Sequence, residues 1–262
     1  MHKQLENTGV VKYFGFHEAS KVTVEGMTKD ELEIYEAHRV SHYLLVEWCP
    51  HGDLHDNSIK LKQPMGELVS RYLFKQIVDA IDYLHSTAKF VHRDVKLENI
   101  LLDKNHNIKL CDFAMSKTLS DQMNAGIFYT QCGSERYMAP EIIEGRPYKG
   151  TAVDIFALGV SLFAMVTGVL PFDRASEKDK FYCLVHQGSE QAFWDLMEKS
   201  HGIKNLSDEF KRFIWEFFKY NYYERITVQQ IRENQWFCQE LTSKQTGDVI
   251  IELDRRAKLL KN

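Results

Sequence analysis

The sequence has few cysteines, and none of them are spaced for metal binding. The five cysteines are scattered and form no C-x-x-C motif, which argues against a zinc ribbon or a disulfide framework. The first four residues are polar and contain no apolar signal core, so no secretion is expected. This pattern favours a reducing compartment, either the cytoplasm or the nucleus.

The chain also lacks a strong charge of either sign. Its 33 Lys and Arg residues against 37 Asp and Glu residues give a net charge of -4, and both signs are interspersed. This balance argues against binding that is dominated by nucleic acid or an anionic membrane. With 262 residues, 44% of them hydrophobic, the chain can form one large domain or two lobes that share a core.

Long uncharged runs are almost absent, with one exception at residues 155–172. These eighteen residues contain no charge, which is the lower limit for a membrane span. The run also contains two glycines, a serine, a threonine and Pro171. We therefore predict a buried core helix and no membrane span.

Hydrophobic periodicity predicts four short β-strands and one long helix before residue 141. Branched and aromatic residues predict strands, and helical spacing predicts an amphipathic helix. The predicted strands lie at residues 10–16, 42–48, 100–102 and 108–110, the predicted helix lies at 65–84, and the acidic link at 19–39 is interpreted as a surface insertion. Helices are expected after residue 141, followed by a charged tail at 239–262 that ends in a helix at 254–261.

The most informative segment is residues 92–99, which read His-Arg-Asp-Val-Lys-Leu-Glu-Asn. Asp-Phe-Ala begins eighteen residues beyond Asp94, and Ala-Pro-Glu follows at 139–141. In this order the motifs resemble those of the eukaryotic serine/threonine protein kinases, in particular the calcium/calmodulin-dependent and AMP-activated group. The resemblance implies an α+β, protein-kinase-like fold at residues 1–238. Its expected parts are a remnant small lobe to about residue 47, a hinge at 47–52 and a mainly helical large lobe from about residue 52.

The resemblance implies the catalytic residues of phosphoryl transfer to protein substrates. Asp94 would be the general base, Lys96 would contact the transferred phosphate, and Asn99 and Asp112 would hold Mg²⁺. A lysine two residues after Asp94 favours serine/threonine over tyrosine kinases. The alternative interpretation, a solvated turn, is disfavoured by the two flanking motifs.

The same resemblance implies an ATP site at the hinge. Backbone groups of Glu47 and Cys49 would read the adenine, and Val46 would lie behind it. Leu101 would form the floor under the purine, while Asp53 would contact the ribose or a substrate arginine. By itself, an apolar strand that ends in a glutamate is equally typical of an ordinary core.

Residues 130–141 resemble the activation and substrate-docking segment of the group. Thr130 matches its activating phosphosite, which implies an upstream kinase, and Arg93 would pair with the phosphate. Ser134 matches a hydroxyl that bridges the catalytic Asp and Lys. The alternative is that Thr130 stays unmodified.

Further matches imply structural roles and a substrate preference. Glu141 is expected to pair with Arg225, and Asp154 is expected to brace the catalytic-loop backbone. Asp53 and Glu98 place acids beside the peptide groove, which favours substrates with Arg or Lys before the acceptor. The alternative is that both acids are simply solvated.

The chain departs from the family pattern in two places. No glycine-rich loop and no V-A-I-K lysine precede the motifs, so we expect weak ATP binding and exposed apolar residues on the first two strands. A truncated chain and a pseudokinase or scaffold both account for this absence, and the intact catalytic residues favour truncation. Ala114 replaces the usual glycine after Phe113, which is expected to restrict this loop to one arrangement.

Overall fold

The computed structural model describes residues 5, 7–18, 42–119 and 126–261. The surface insertion predicted at 19–39 lies outside these described residues, as do the first four residues of the chain. The described chain has an α+β architecture, with a two-stranded layer beside a mainly helical large lobe.

The small layer is an antiparallel pair of β1 (Tyr13–Glu18) and β2 (His42–Val46), in which Phe16 lies opposite Leu44. Strand β1 begins later than predicted because Val10 and Val11 pair with the large lobe instead. Val10 forms a parallel bridge with Leu110, and the Val11 amide donates to the Leu110 carbonyl over 3.0 Å. These contacts attach the small layer to the strand that precedes the Asp-Phe-Ala motif.

The two strands expose the apolar surface that the sequence predicts. Phe14 and Phe16 are about 60% exposed, and Leu44, Leu45 and Val46 are also exposed. These apolar side chains would gain from burial at roughly 25 cal/mol for each Å² covered.

The large lobe follows the hinge. A π-helical turn spans Asp56–Lys60, and the long helix α1 spans Gly66–Asp82, as its periodicity predicts. Short strands carry the catalytic segments: β3 (Phe90–Val91) pairs with β6 (Lys117–Thr118), β4 (Ile100–Leu102) with β5 (Ile108–Leu110), and β7 (Ile127–Phe128) with β8 (Tyr148–Lys149). The remaining helices are α2 (Pro140–Ile143), α3 (Gly150–Thr167), α4 (Tyr182–His186), α5 (Glu190–His201), α6 (Asp208–Trp215), α7 (Val228–Glu233), α8 (Gln235–Cys238) and α9 (Ser243–Leu259).

Helix α3 is the centre of the lobe. Within the described part of the chain it is the one helix long and apolar enough to cross a membrane by length and composition, but most of its residues are buried inside the structure. It begins at Gly150 and ends at Gly168, whose φ of 76° closes the helix in a left-handed conformation. Residues 155–167 of the uncharged run are therefore a buried core helix, as predicted, and residues 168–172 lie beyond its end.

Helix α9 starts eleven residues before the predicted helix at 254–261, because Thr242 and Gln245 form a capping box at its N-terminus. Arg256 is 2% exposed and donates to the backbone carbonyls of Asn57, Gln63 and Pro64. The charged tail thus includes a helix that packs on the large lobe just after the hinge.

A second contact joins α9 to the hinge through two histidines. The Asp254 carboxylate lies 2.7 Å from His106 Nε2, and the His106 ring stacks on His51 with centroids 4.3 Å apart. Because a carboxylate only accepts, His106 Nε2 is the donor. His106 also occupies the predicted turn between β4 and β5, where its φ is 61°.

Candidate active site

Asp94, Lys96 and Ser134 form one connected cluster. Lys96 Nζ lies 2.9 Å from Asp94 Oδ2 and donates to Ser134 Oγ over 2.8 Å, while the Ser134 amide donates to Asp94 Oδ1 over 2.8 Å. The bridge by Ser134 is therefore present as predicted. It fixes the carboxylate and the ammonium in one orientation before any substrate arrives.

The environment of Asp94 favours its ionised form. Burial raises the pKa of the Asp94 carboxyl, but hydrogen bonds from Lys96 and Ser134 outweigh it, so the pKa lies below the usual value of 3.8. Asn99 Nδ2 adds hydrogen bonds to Asp94 O and Oδ2 at 2.9 and 3.2 Å. No described donor binds the amide oxygen of Asn99, so this oxygen can face a cation.

Asp154 braces the catalytic loop, as predicted. Its Oδ1 accepts from the Arg93 amide at 2.7 Å, and its Oδ2 accepts from the His92 amide at 2.9 Å. Arg93 has a φ of 64°, a left-handed conformation that costs energy in a non-glycine residue and that these bonds help to hold. His85 Nε2 lies 2.8 Å from the same carboxylate, a contact that the sequence analysis missed.

In the Asp-Phe-Ala segment, Phe113 packs inward. The Phe113 ring lies 5.0 Å from the buried His92 ring, centroid to centroid, whereas Asp112 is exposed. Asp112 has a φ of 58°, and its Oδ1 accepts from the Ala114 amide over 3.2 Å. The carboxylate is thus turned away from the core and can meet a metal ion.

The hinge has two backbone groups that suit a purine. The carbonyl of Glu47 and the amide of Cys49 have no hydrogen-bond partner among the described residues. The Glu47 side chain is turned to Lys109, whose Nζ lies 2.8 Å from Glu47 Oε1. Val46 ends β2 just before these groups, where the sequence predicts the residue behind the adenine.

The chain beyond the hinge pairs with β4 and brings Asp53 beside Leu101 through an antiparallel bridge. Burial, together with the negative charges of Asp112, Cys49 and Asp53, raises the pKa of the Cys111 thiol to about 12, although Lys96 opposes the effect. The Cys111 amide also donates to the Asn99 carbonyl over 2.9 Å. This bond joins the catalytic loop to the segment of Asp112, so the two residues assigned to the metal lie on bonded segments.

Thr130 is exposed and sits next to the strand pair β7 and β8. Its carbonyl accepts a hydrogen bond of 2.8 Å from the Tyr148 hydroxyl, which in turn accepts one of 3.2 Å from Arg93 Nη1. Arg93 and Lys117 both lie over the Phe128 ring, at 5.5 and 5.7 Å from its centroid. Sequence reasoning found Thr130 and Arg93 but missed Tyr148 and Lys117.

Gly133 lets the activation segment lie directly on the catalytic loop. Its φ is 111°, and a Cβ added there would come within 2.7 Å of the Arg93 carbonyl oxygen. Only glycine fits both the conformation and the close approach. This contact places the Ser134 amide in reach of Asp94.

The two acids assigned to substrate recognition, Asp53 and Glu98, differ in burial: Asp53 is half-buried and Glu98 is exposed. Burial raises the pKa of Asp53, as do the charges of Asp56 and, less strongly, Glu98, although a hydrogen bond from the Asp56 amide opposes the shift. Glu98 is exposed and lines a groove of about 340 Å³ together with Tyr137 and Phe172. Glu98 thus places a negative charge at this groove, whereas Asp53 lies two residues before His55, which lines it.

Comparisons with known proteins agree with this geometry. A family model described as the protein kinase domain matches residues 1–237. The chain is 33% identical over 216 residues to CBL-interacting serine/threonine-protein kinase 2 of Arabidopsis thaliana, covering 82% of this chain and 44% of that protein. It is 38% identical over 196 residues to CBL-interacting protein kinase 31 of Oryza sativa subsp. japonica, covering 74% and 40% respectively. The chain thus spans less than half the length of these curated relatives.

Proposed function

The chain belongs to the protein kinase domain family, and from this membership we propose that it transfers the γ-phosphate of ATP to serine and threonine hydroxyls of proteins. The observation that carries the proposal is the hydrogen-bonded cluster of Asp94, Lys96 and Ser134. It supplies a carboxylate, a cation and an orienting hydroxyl at one point, which is what phosphoryl transfer requires.

In the proposed reaction, the substrate hydroxyl oxygen forms a bond to the γ-phosphorus while the bond from that phosphorus to the leaving oxygen of ADP breaks. Asp94 accepts a hydrogen bond from the hydroxyl and takes its proton. The low pKa of Asp94 keeps the carboxylate ready to accept that hydrogen bond. Lys96 stabilises the negative charge of the transferred group.

The nucleotide fits the hinge. The open carbonyl of Glu47 and amide of Cys49 would read the adenine edge, with Val46 behind the ring and Leu101 beneath it. Asp53 would contact the ribose. Asn99 and Asp112 offer the oxygen ligands that Mg²⁺ prefers and would hold the ion, which neutralises phosphate charge when bound.

Regulation and substrate choice extend the proposal. Thr130 would be phosphorylated by an upstream kinase, because it is exposed and lies near Arg93. The Tyr148 hydroxyl bonds both the Thr130 carbonyl and the Arg93 guanidinium. Protein substrates with basic residues before the acceptor would meet Asp53 and Glu98. The five free thiols support a cytoplasmic or nuclear location.

A direct assay tests the proposal. The longest form of the protein that its gene encodes is incubated with Mg²⁺, labelled ATP and a library of Ser, Thr and Tyr peptides. Label on Ser and Thr peptides alone is expected. No transfer, or transfer to tyrosine alone, would refute the assignment.

The second candidate function is a catalytically weak pseudokinase or scaffold, because residues 1–262 contain no glycine-rich loop and no strand lysine ahead of the motifs. Whether the protein is an active kinase or a scaffold, residues 1–262 should bind Mg-ATP at least tenfold more weakly than the same chain extended by such a loop and lysine. This corresponds to a difference in binding free energy of about 1.4 kcal/mol or more. Calorimetry measures both affinities. A gene that encodes no such loop upstream would favour the scaffold.

A further inference from the structure

The Tyr148 hydroxyl joins the catalytic loop to the activation segment. Tyr148 is 1% exposed, and its hydroxyl donates to the Thr130 carbonyl over 2.8 Å and accepts from Arg93 Nη1 over 3.2 Å. A phenol has one proton and two lone pairs, so both bonds form at once. One buried oxygen thus fixes the backbone of Thr130 and the side chain of Arg93.

Packed elements on several sides hold Tyr148 in this position. It pairs with Phe128 between β7 and β8, and the two rings lie 5.9 Å apart. Helix α3 begins two residues later at Gly150, where an added Cβ would collide with Phe128 and Val91. The hydroxyl therefore has little freedom to leave its two partners.

Arg93 is oriented by two hydrogen bonds before any phosphate is present. Its Nε donates to the Met115 carbonyl over 2.7 Å, and its Nη1 donates to Tyr148. No described residue binds Nη2. The guanidinium plane is thus fixed at one edge and open at the other.

We propose that Tyr148 is a positioning residue that orients Arg93 to receive a phosphate on Thr130, an inference that rests on the assignment of Thr130 as a phosphosite. An arginine that is already ordered loses less side-chain freedom when it binds an anion. Its planar fork can then form paired, charge-assisted hydrogen bonds with phosphate oxygens. Among the described residues, ionisable groups around this site include Lys117, which lies over the same Phe128 ring, and the Cys132 thiol, 4.0 Å from the Tyr148 hydroxyl. Tyr129 and Lys149 adjoin Thr130 and Tyr148 in the chain.

The test measures the second ionisation of a phosphate group on Thr130. Phosphothreonine is installed at position 130 of the 262-residue chain by genetic encoding, and ³¹P NMR follows its second ionisation, which has an ordinary pKa of about 6. An oriented Arg93 is expected to lower this pKa, and Tyr148→Phe is expected to raise it again by about half a unit or more. Tyr182→Phe is the matched control, because Tyr182 is also 1% exposed but bonds to the Phe218 carbonyl. It is expected to leave the titration unchanged.

A double variant separates positioning from a general structural effect. In an Arg93→Ala background, Tyr148→Phe should no longer change the phosphate pKa, because its effect passes through Arg93. Equal titrations of the parent and Tyr148→Phe, or an equal shift by Tyr148→Phe with and without Arg93, would overturn the proposal.

A measurement on the unsubstituted chain covers the case in which Tyr148→Phe fails to fold. The Arg93 Nε–H proton should exchange slowly in the unphosphorylated protein, because it is bonded to Met115 and its side chain is held by Tyr148. Fast exchange would contradict the proposed orientation. None of these readouts needs phosphoryl transfer, so an inactive chain would refute the proposed function and leave this inference standing.

Discussion

Arg225 and Glu141 form a bidentate ion pair, and both side chains are fully buried. Arg225 Nη1 and Nη2 lie 2.9 and 3.0 Å from Glu141 Oε1 and Oε2. Arg225 also donates to the carbonyls of Ala152 and Lys219. The pair ties the end of the activation segment to the helices of the large lobe, as the sequence predicts.

Arg225→Met should strongly destabilise the large lobe. It leaves the Glu141 carboxylate buried without its partner, which costs about 3–5 kcal/mol. Urea unfolding measures the loss. The control is Arg212→Met, because Arg212 forms an exposed pair with Glu209 at 3.9 Å, worth about 1 kcal/mol or less. Similar losses for both variants would contradict a special role of the buried pair.

Asp94→Asn should remove phosphoryl transfer and leave the lobe folded. The amide keeps the shape of the side chain but cannot take the substrate proton, so the rate should fall about a hundredfold or more. Activity is measured with the longest encoded form of the protein, and thermal unfolding serves as the folding check. Equal rates for the variant and its parent would exclude Asp94 as the base.

Thr130→Ala should lower activity and abolish the response to an upstream kinase, because no phosphate could then bind Arg93. The measurement is the phosphorylation rate before and after incubation with cell extract and ATP. Ser200→Ala is the control, because Ser200 is exposed on α5 outside the activation segment. If Thr130→Ala responds as the parent does, Thr130 is not the regulatory site.

Neutralising the acids at the peptide groove should reduce selection for basic residues. Glu98→Gln or Asp53→Asn removes negative potential near the groove, so enrichment of Arg and Lys before the acceptor should fall about fivefold, or 1 kcal/mol. A positional peptide library measures the enrichment, with Glu209→Gln on α6 as the control. A library without such enrichment in the parent would leave both acids without a recognition role.

The attachment of α9 should depend on pH at the acid end. The hydrogen bond from His106 holds the pKa of the Asp254 carboxyl below its usual 3.8. Because the folded-state pKa is the lower one, this stabilisation is complete above 3.8 and is lost as the pH falls through the folded value. The difference in unfolding free energy between the parent and Asp254→Asn should therefore be present at pH 5 and shrink toward pH 2. Asp248→Asn, on the same helix but without an ion pair among the described residues, should show no such change.

Short-range patterns predicted the parts of the site that lie close in sequence. Asp94, Lys96 and Asn99 lie within the eight-residue motif at 92–99, which carries the family resemblance. That resemblance then predicted the roles of Ser134 and Asp154. The periodicity of α1 and of β4 and β5 was also sufficient, because each element buries one regular face.

Contacts between distant segments that lie outside the recognised motifs were not predictable in the same way. The Tyr148 hydroxyl reaches Thr130 and Arg93 because β8 pairs with β7. Strands of only two residues show no hydrophobic periodicity in the sequence. The joining of His51, His106 and Asp254 depends on how α9 packs, over a separation of 148 residues between His106 and Asp254. The start of α9 did have a signal, since Thr242 and Gln245 have capping-box spacing.

The close approach at Gly133 limits which amino-acid substitutions position 133 can accept during evolution. Most single-base changes in a glycine codon introduce a side chain, and here any Cβ would strike the Arg93 carbonyl in a backbone conformation that other residues rarely adopt. The segment would then have to lift from the catalytic loop and carry Ser134 away from Asp94. Replacement of the residue at position 133 is therefore disfavoured for as long as the loop and the segment remain in contact.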